Sequence, residues 1–522
     1  MSKAKKTKEK KLEDILFDCR NVLRGKVEQA DNRNAVMGLV FLKFAGDKFE
    51  ARRNELIEEY GDNQIFLNKP AFYLAENVFY LEETSRWTYI TKNAGDNKIA
   101  NILDQAMADI EKDNKPLQGA LPQKFYSGLR VEVKTLKSLI DTVNQISEER
   151  FNEKDLIGRV YEYFLQHFAI DERKEKGEFY TPKSIVDLIA ELIEPYEGKI
   201  YDPCCGSGGM FVQSVKFVEN HNGNKINISV YGQESSPATY RLAKMNLAIR
   251  GIASDLGERN ASSFLNDQHK DMKVDFIMAN PPFNLKNWRD EDELTSDARW
   301  DGYGTPPVSN ANYAWILHML SKLDVTNGIA GFLLANGALG AEGEEANIRK
   351  MLVENNKVEA IFVLPRDMFY STDISVTLWI INNNKKARVL NGRKLRDREE
   401  EILFVDLRRW NQNIYEKSYV MFDEQQILDI KKIYNSWQSI NFEDEYSNIP
   451  ELCRSVHKNE IREKGYSLVP SKYIEFIDRD LEIDFEAEMA KIQSDMQRIL
   501  NEEKESQTML QDAFRGIGYG ID

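Results

Sequence analysis

Hydrophobic residues recur at helical spacing along the first part of the chain. Leu12, Ile15, Leu16 and Cys19 fall three or four residues apart, and residues 35–49 continue the pattern. This spacing places apolar side chains on one face of a helix. We therefore predict a helical N-terminal domain over residues 1–150, which begins with a lysine-rich, solvated tail.

From about residue 155, short apolar runs alternate with helical patterns such as residues 237–250 and 313–323. The runs predicted to be strands are residues 199–201, 228–232, 274–279, 329–335, 358–364 and 376–381. Alternation of this kind is typical of a doubly wound, mostly parallel α/β sheet. The last run follows its predecessor after a short turn-rich segment, which would suit an antiparallel strand near an edge. We assign this α/β domain to residues 151–410.

A third region, residues 411–522, contains a charged helical pattern with one apolar stripe. The stripe consists of Phe485, Met489, Ile492, Met496 and Ile499. Such a stripe suits a partner helix or a coiled coil, and it equally suits a helix packed back on its own domain. The pattern alone leaves both interpretations open.

Composition narrows the class of protein. The chain has 522 residues, with 42% hydrophobic and 30% charged residues, as in globular proteins of two or three domains. We find no apolar run near the ~20 residues that span a membrane, and no apolar stretch follows the basic N-terminus as in a secretory signal. Four cysteines in a chain this long indicate neither a disulfide framework nor a zinc module. We therefore expect a cytoplasmic protein.

The formal net charge is -15. This charge argues against a protein that holds DNA unaided, because neutralisation of phosphates supplies most non-specific affinity. A nucleic-acid enzyme with this balance needs a local basic surface, a basic partner, or both.

A glycine-rich segment, residues 202–210, follows the first predicted strand and begins a helix. Its glycines allow a sharp turn close to a ligand, and Glu234 ends the next strand, where an acid can accept hydrogen bonds from ribose hydroxyls. The pair suits either a dinucleotide or an adenosyl cofactor. The absence of a Walker lysine and the presence of Asp202, which suits a cationic amine, favour the adenosyl cofactor. Cys204 and Cys205 are interpreted as small packed residues, and no metal is expected.

The segment Asn280-Pro281-Pro282-Phe283 follows the strand predicted at residues 274–279. The prolines stiffen the backbone, so that the Asn280 amide and the Pro281 carbonyl present two fixed acceptors. Two acceptors suit an exocyclic amine, because they support the positive charge that develops when the nitrogen is methylated. Phe283 offers a face for stacking the base. The alternative interpretation is a proline-stiffened loop that has no catalytic role.

These two segments together resemble the amino-methyltransferases that act on DNA. The segment Gly177-Glu178-Phe179-Tyr180-Thr181-Pro182 precedes the glycine-rich turn and the Asn-Pro-Pro-Phe segment follows it, an order that resembles the gamma class. The resemblance implies a Rossmann-like fold and S-adenosyl-L-methionine as cofactor. The residues that it implies for the cofactor are Glu178, Phe179, Tyr180, Thr181, Asp202, Cys205, Gly206, Ser207, Gly208, Gly209 and Glu234. Residues 260–264 lack the acid with which many relatives hold the cofactor's adenine.

Most of the chain, including residues 34–55, 299–307 and 465–473, resembles the modification subunits of type I restriction–modification systems. The resemblance implies adenine-N6 methylation of DNA, with Asn280, Pro281, Pro282 and Phe283 handling the adenine. It also implies a specificity subunit flanked by two modification subunits, and a restriction subunit in the full complex. The apolar stripe is then a candidate docking helix for the specificity subunit.

Several alternatives stay open at this point. Seven basic residues between residues 385 and 398 form either a phosphate-contacting loop or a solvated hairpin around Asn391-Gly392. Residues 287–309 form either an ordered loop near DNA or a flexible surface loop. Rival functions are methylation of cytosine N4 or of a protein glutamine, and a non-catalytic assembly subunit.

Overall fold

The computed structural model describes residues 10–147, 181–369, 375–412, 414–415, 419–477, 485–516, 518 and 519. Its first part is helical, as predicted. The helices there are Leu12–Leu23, Gln29–Tyr60, Gln64–Leu67, Ala71–Leu74, Trp87–Lys92, Ile99–Asp113, Phe125–Gly128 and Val133–Val143. Leu12, Ile15, Leu16 and Cys19, predicted to share one helical face, are all buried in a common core.

A mixed sheet occupies the middle of the chain. Nine strands of the described part form it, in the spatial order β13-β10-β6-β7-β5-β4-β1-β2-β3. Their bounds are Gly198–Asp202 (β1), Ile228–Gly232 (β2), Ser254–Asp255 (β3), Phe276–Ala279 (β4), Ile329–Ala335 (β5), Val358–Val363 (β6), Val376–Asn382 (β7), Glu401–Asp406 (β10) and Cys453–His457 (β13). All six predicted strands are present. The doubly wound α/β prediction is therefore confirmed.

Strand direction decides where a site can form. β1 pairs in parallel with β2 and β4, β4 with β5, and β6 with β10. β7 is antiparallel to both neighbours, as predicted, but it lies inside the sheet between β5 and β6 rather than near an edge, and all seven of its residues are buried. Hence β1, β2, β4, β5, β6 and β10 end at the same edge of the sheet, which we call the carboxyl edge.

Two strands extend the sheet beyond β6. β10 pairs with β6, and β13 pairs antiparallel with β10. The sheet therefore continues past the boundary predicted at residue 410. β13 mixes buried and exposed residues, so its sequence lacks the apolar run that identified the inner strands.

Helices cover the sheet. Their bounds are Lys183–Ile193, Gly209–Asn220, Pro237–Ile249, Asn312–Lys322, Glu344–Glu354, Glu424–Gln438, Phe442–Glu445 and Lys458–Glu463. The packing is close where Gly331 of β5 meets the first of these helices. A Cβ at Gly331 would lie 2.8 Å from Cγ2 of Ile189, so only glycine allows this approach.

The helix Pro237–Ile249 joins the helical part to the sheet. It begins with proline at its first turn, and the Ser236 side chain caps it by accepting from the Thr239 amide. One face buries Ala243 and Leu247 with the sheet, while Met245 belongs to the core of the N-terminal helices. This helix therefore fixes the N-terminal helices against the sheet.

The basic segment between β7 and β10 forms a hairpin rather than a cationic patch. β8 (Arg388–Leu390) and β9 (Arg393–Leu395) pair around Asn391 and Gly392, whose φ angles of 48° and 77° suit a tight hairpin turn. Because β7 runs antiparallel and its Asn382 lies opposite Ile329, the first residue of β5, the hairpin follows the sheet at the edge opposite the carboxyl edge.

Two cations of this basic segment donate hydrogen bonds to buried carboxylate and carbonyl oxygens. Arg398 donates through Nε to Oε1 of Glu359 at 3.0 Å, and both side chains are fully buried. Lys385 donates to the carbonyls of Val358 and Glu401. These cations hold β6, β7 and β10 together and are unavailable to phosphate.

The helix Phe485–Gly516 belongs to a separate compact unit and is described by itself. Along it, Met489, Ile492, Met496 and Ile499 have exposed fractions of 47–62%. These four residues of the predicted apolar stripe are thus accessible, whereas the side chain of Phe485, its fifth member, lies outside the described part of the chain. Within the described residues, no helix is long and apolar enough to cross a membrane.

The buried ion pair makes a prediction for stability. Glu359→Ala leaves the Arg398 guanidinium buried without its carboxylate, so the free energy of unfolding should fall by about 3–5 kcal/mol. Chemical denaturation of the purified chain measures this change. The matched control is Glu342→Ala on an exposed loop, where we expect less than about 0.5 kcal/mol. An equal effect of the two variants would contradict the structural role of the pair.

Candidate functional site

The glycine-rich turn lies at the carboxyl edge, between β1 and the helix Gly209–Asn220. Gly206 and Gly208 have φ angles of 53° and 81°, which favour glycine. The turn is tied to the neighbouring strand, because the Cys205 amide donates to the Gln233 carbonyl at 3.0 Å. A Cβ at Gly206 would meet nothing within 4 Å, so this glycine faces open space.

Asp202 lies beneath this turn. Its Oδ1 accepts a hydrogen bond from the Cys204 amide at 3.0 Å, and the side chain is almost fully buried. Burial raises the pKa of Asp202 to about 7, and the nearby charge of Glu234 acts in the same direction, while the Cys204 hydrogen bonds oppose it. A cation near this carboxyl would favour its ionised form. The predicted preference of Asp202 for a cationic amine is consistent with this environment.

Glu234 connects two backbone segments. Its Oε2 accepts from the Gly206 amide at 3.0 Å, and its Oε1 accepts from the Ser236 amide at 2.8 Å. The Ser235 hydroxyl also donates to Oε1, at 3.4 Å. Glu234 therefore orders the glycine turn and presents its carboxylate at the wall of the cleft.

Asn280 follows β4, directly beside the glycine turn's strand. Its Nδ2 donates to Oγ1 of Thr181 at 2.9 Å, which fixes the orientation of the amide. Its Oδ1 is buried and accepts no hydrogen bond in the described part of the chain. A buried acceptor without a donor is costly, so this oxygen is suited to accept from a ligand.

The chain after Asn280 is fastened at both sides. The Asn284 amide donates to Oδ1 of Asn312 at 3.0 Å, and Nδ2 of Asn312 donates back to Oδ1 of Asn284 at 2.9 Å. The Phe283 ring lies edge-on to Phe369, with ring centroids 6.1 Å apart and planes at 86°. Phe369 follows β6, so two strand ends of the carboxyl edge meet at Phe283.

A cleft separates the glycine turn from the Asn280 segment. The lining residues are Pro203, Cys204, Gly206, Glu234, Ser235, Ser236, Thr239, Ala261, Ser262, Ser263, Phe264, Asn280, Pro282, Leu285, Trp288 and Trp315. One wall is aromatic, since the Phe264 ring centroid lies 4.1 Å from that of Trp315 and 4.6 Å from that of Trp288. The indole N–H of Trp315 is buried and has no acceptor among the described residues. This donor is available to a ligand in the cleft.

Residues 287–309 form an ordered loop. The buried Arg289 donates to four backbone carbonyls of the loop, and the Trp288 indole donates to the Pro307 carbonyl at 2.8 Å. The Asn287 amide donates to the Val308 carbonyl and closes the loop. Of the two interpretations left open by the sequence, order is the one observed.

Arg299 connects this loop to the aromatic wall. It donates to the carbonyls of Ser263 and Phe264 at 3.0 and 2.8 Å, and it forms an ion pair with Asp297. It also lies 3.1 Å from Nδ1 of His318. Since a guanidinium only donates, Nδ1 of His318 accepts, and the proton is on Nε2.

His318 is neutral in this arrangement. Burial lowers the pKa of His318 to about 3, with the charges of Arg299 and Lys322 acting in the same direction and that of Asp267 opposing it. Its Nε2 lies 3.1 Å from the Tyr201 hydroxyl and donates to it. This buried chain of side chains extends from the loop to β1, one residue before Asp202.

The predicted site residues differ in their positions relative to the cleft. Gly206, Glu234, Asn280 and Pro282 line the cleft, while Asp202 and Cys205 are packed next to it. Thr181 contacts Asn280, whereas Glu178, Phe179 and Tyr180 lie outside the described residues. The remaining predicted residues, Ser207, Gly208, Gly209, Pro281 and Phe283, belong to the same two segments.

Sequence analysis missed four aromatic residues and Arg299. The aromatic residues are Phe264, Trp288, Trp315 and Phe369. They lie on different segments, so no local spacing identifies them. The sequence offered an indication for two of them: Phe369 follows the strand predicted at residues 358–364, and Trp315 lies at the start of the helix predicted at residues 313–323. No group of three or more possible metal ligands occurs in the described part of the chain.

Comparison with known proteins agrees with this geometry. The family model described as N-6 DNA Methylase matches residues 152–480, and the model described as HsdM N-terminal domain matches residues 12–143. The chain is 39% identical to the methylase subunit of the type I restriction enzyme HindI from Haemophilus influenzae, over 81% of this chain and 93% of that one. It is 33% identical to the MjaIX methylase subunit from Methanocaldococcus jannaschii, over 97% and 91%.

The fold is also found in solved structures. A type I restriction-modification methyltransferase subunit from Streptococcus thermophilus superposes with a TM-score of 0.72 at 22% identity, covering 89% of this chain and 99% of that one. The chain therefore belongs to the N-6 DNA methylases, and within them to the methylase subunits of type I restriction enzymes, which are adenine-specific DNA methyltransferases.

Proposed function

We propose that the chain methylates the N6 amine of an adenine flipped out of duplex DNA, with Asn280 and Pro281 accepting hydrogen bonds from that amine. The observation that carries the proposal is the Asn280 side chain. Thr181 occupies its donor group, and its buried Oδ1 has no donor among the described residues. An amine N–H is the partner that this oxygen lacks.

The chemistry of the substrate explains why acceptors are needed. The lone pair of an aromatic exocyclic amine is delocalised into the ring, so the nitrogen is a poor nucleophile. Acceptors at both N–H groups favour a pyramidal nitrogen and stabilise the positive charge that develops during methylation. The Pro281 carbonyl is the second acceptor in this proposal. The methylated cation then loses a proton without needing a base of tuned pKa.

Flipping the base out of the duplex costs a few kcal/mol. Stacking on an aromatic ring recovers about 1–3 kcal/mol per base. Phe283 is the proposed stacking partner, and Phe369 supports it edge-on at 6.1 Å. The contact with Phe369 supports this role, because it holds the Phe283 ring in one orientation at the carboxyl edge.

The cleft fits S-adenosylmethionine as the methyl donor. Gly206 leaves open space, Glu234 lines the cleft with a carboxylate of the kind that binds ribose hydroxyls, and Trp315 offers a buried indole donor. When bound, S-adenosylmethionine supplies an electrophilic methyl group on its sulfonium sulfur. Asp202, whose raised pKa falls when a cation approaches, is the proposed partner of the methionine amine.

Partnership within a type I system follows from the family. We propose that the apolar stripe of the helix Phe485–Gly516 docks on a specificity subunit, which two copies of this chain flank, and that a restriction subunit joins the full complex. The exposed Met489, Ile492, Met496 and Ile499 support a helical partner, since a single apolar stripe on a charged helix suits helix pairing.

The first prediction tests the reaction. Asn280→Ala removes one acceptor, so methyl transfer should fall by at least about 100-fold. Modified-base sequencing of host DNA should show N6-methyladenine at a defined motif with the unchanged chain and none with the variant. Asn224→Ala, on an exposed loop at the opposite edge, is the control and should methylate normally. Unchanged adenine methylation in Asn280→Ala would refute the proposed role.

The second prediction concerns the methyl donor. Trp315→Phe keeps an aromatic ring and removes the buried indole donor. We expect the Kd for S-adenosylmethionine to rise about 2- to 12-fold, which corresponds to about 0.5–1.5 kcal/mol for one neutral hydrogen bond. Isothermal titration calorimetry measures it. Trp437→Phe removes an indole N–H bonded to Ser455 outside the cleft and should leave this Kd unchanged. Equal affinity of wild type and Trp315→Phe would exclude the hydrogen bond.

The third prediction concerns assembly. Deletion of residues 485–522 should abolish co-purification with the specificity subunit and leave S-adenosylmethionine binding intact. Met496→Asp should weaken assembly in the same way, since it charges the stripe. Ser494→Asp places the same charge on the opposite face of the helix and should assemble normally. Normal co-purification of the deletion variant would disprove the docking proposal.

A further inference from the structure

Three arginines follow strand ends on one side of the catalytic segment. Arg366 follows β6, and Arg408 and Arg409 follow β10; all three are exposed. β6 and β10 are parallel neighbours, with Val363 opposite Asp406. The Leu407 amide donates to the Val363 carbonyl at 2.9 Å, so the two segments stay adjacent beyond the strands. We call these residues the arginine face.

The arginine face belongs to the same edge as the catalytic segment. Arg366 lies three residues before Phe369, whose ring contacts Phe283. The Asp367 carbonyl accepts from the Val420 amide at 2.9 Å, which anchors the backbone next to Arg366. Arg366 therefore lies on the segment that also supplies the ring in contact with Phe283.

The Arg408 guanidinium is oriented by Asp406 so that it can bind an anion. Its Nε and Nη2 donate to the two carboxylate oxygens of Asp406 at 2.9 and 2.5 Å. The Asp406 side chain is buried, at 6% exposure, while that of Arg408 is 47% exposed. One edge of the planar guanidinium is thus fixed inward, and its other nitrogen is directed to solvent, where it can donate to a phosphate oxygen.

The opposite side of the catalytic segment carries the opposite charge. Asp290, Glu291, Asp292 and Glu293 are all exposed on the loop that follows Phe283. The neighbouring Arg289 is buried and donates to backbone carbonyls, so its guanidinium does not reach solvent. Among the described residues of this side, the three arginines outnumber the two neighbouring acids, Asp367 and Asp406, whereas the loop that follows Phe283 carries four exposed acids in succession.

We infer that Arg366, Arg408 and Arg409 contact backbone phosphates of the DNA next to the flipped adenine, so that the duplex passes over the β6–β10 side of the catalytic segment and away from the acidic loop. The inference rests on the proposed function, because it takes duplex DNA as the substrate. It assigns non-specific contacts only, since phosphate contacts position the duplex without reading its sequence.

The experiment measures DNA affinity against salt concentration with the complex of this chain and its specificity subunit. Arg366→Gln and Arg409→Gln should each reduce the magnitude of the negative slope of log K against log salt by about 0.9, and the double variant should reduce it by about 1.8. Each should raise the Kd by the same factor on duplexes with and without the recognition motif. The Kd for S-adenosylmethionine should not change. Arg408→Gln is measured with a thermal melt, because it leaves Asp406 without its partner.

The chain offers a matched control at the opposite edge. Lys386→Gln and Lys394→Gln remove exposed charges from the β8–β9 hairpin and should leave the slope unchanged. An unchanged slope in the Arg366/Arg409 double variant, or an equal decrease in the lysine variants, overturns the inference. A wild-type complex that binds DNA but transfers no methyl group to adenine overturns the proposed function, while the slopes still decide which face holds the phosphates.

Discussion

Arg299, a cation with only 11% of its side chain exposed, fixes the loop of residues 287–309 against the aromatic wall of the cleft. Its guanidinium satisfies the carbonyls of Ser263 and Phe264 on the wall and the carboxylate of Asp297 on the loop. A planar group with five donors can serve both segments at once, which a lysine cannot. Loss of this contact would leave two buried carbonyls without their donor and free the loop that starts four residues after Phe283.

The same constraint reaches deeper into the protein. Arg299 fixes the tautomer of His318, and His318 donates to the Tyr201 hydroxyl beneath the glycine turn. Phe264, whose carbonyl Arg299 holds, packs its ring against Trp315. The aromatic wall of the cleft, the loop of residues 287–309 and β1 are thus held in fixed positions relative to one another. Such coupling suits a reaction in which two bound groups must meet within a near-attack distance.

The parts of this fold that follow from local patterns were predictable. The buried strands β1, β2, β4, β5, β6 and β7 are apolar runs, and the periodicity around Leu12 and Ile15 indicated a helical domain. β13 could not be identified in this way, because its pairing with β10 depends on a sheet edge that the local sequence does not encode. Its mixture of buried and exposed residues gives no clear period.

The candidate site was predictable where its residues are neighbours in the sequence. The glycine turn and the Asn280 segment are each a short continuous stretch of sequence. Both follow parallel strands, so both lie at the carboxyl edge. Trp315 and Phe369 come from distant segments, so only the fold shows that they meet the cleft and Phe283. Surface charge was the property that was hardest to predict from the sequence. Lys385 and Arg398 belong to a basic segment, yet both are buried next to Glu359 and backbone carbonyls and are therefore absent from the surface.

Net charge therefore says little about where this chain meets DNA. A value of -15 would repel a polyanion if it were spread evenly. The structure instead separates the signs within one edge, with Arg366 and Arg409 on one side of Phe283 and the acidic residues from Asp290 to Glu293 on the other. Over the ~8 Å screening length of physiological salt, a phosphate senses the nearest charges and little of the rest. A local positive face can then orient a duplex without reading its sequence, while the acidic remainder suppresses non-specific binding.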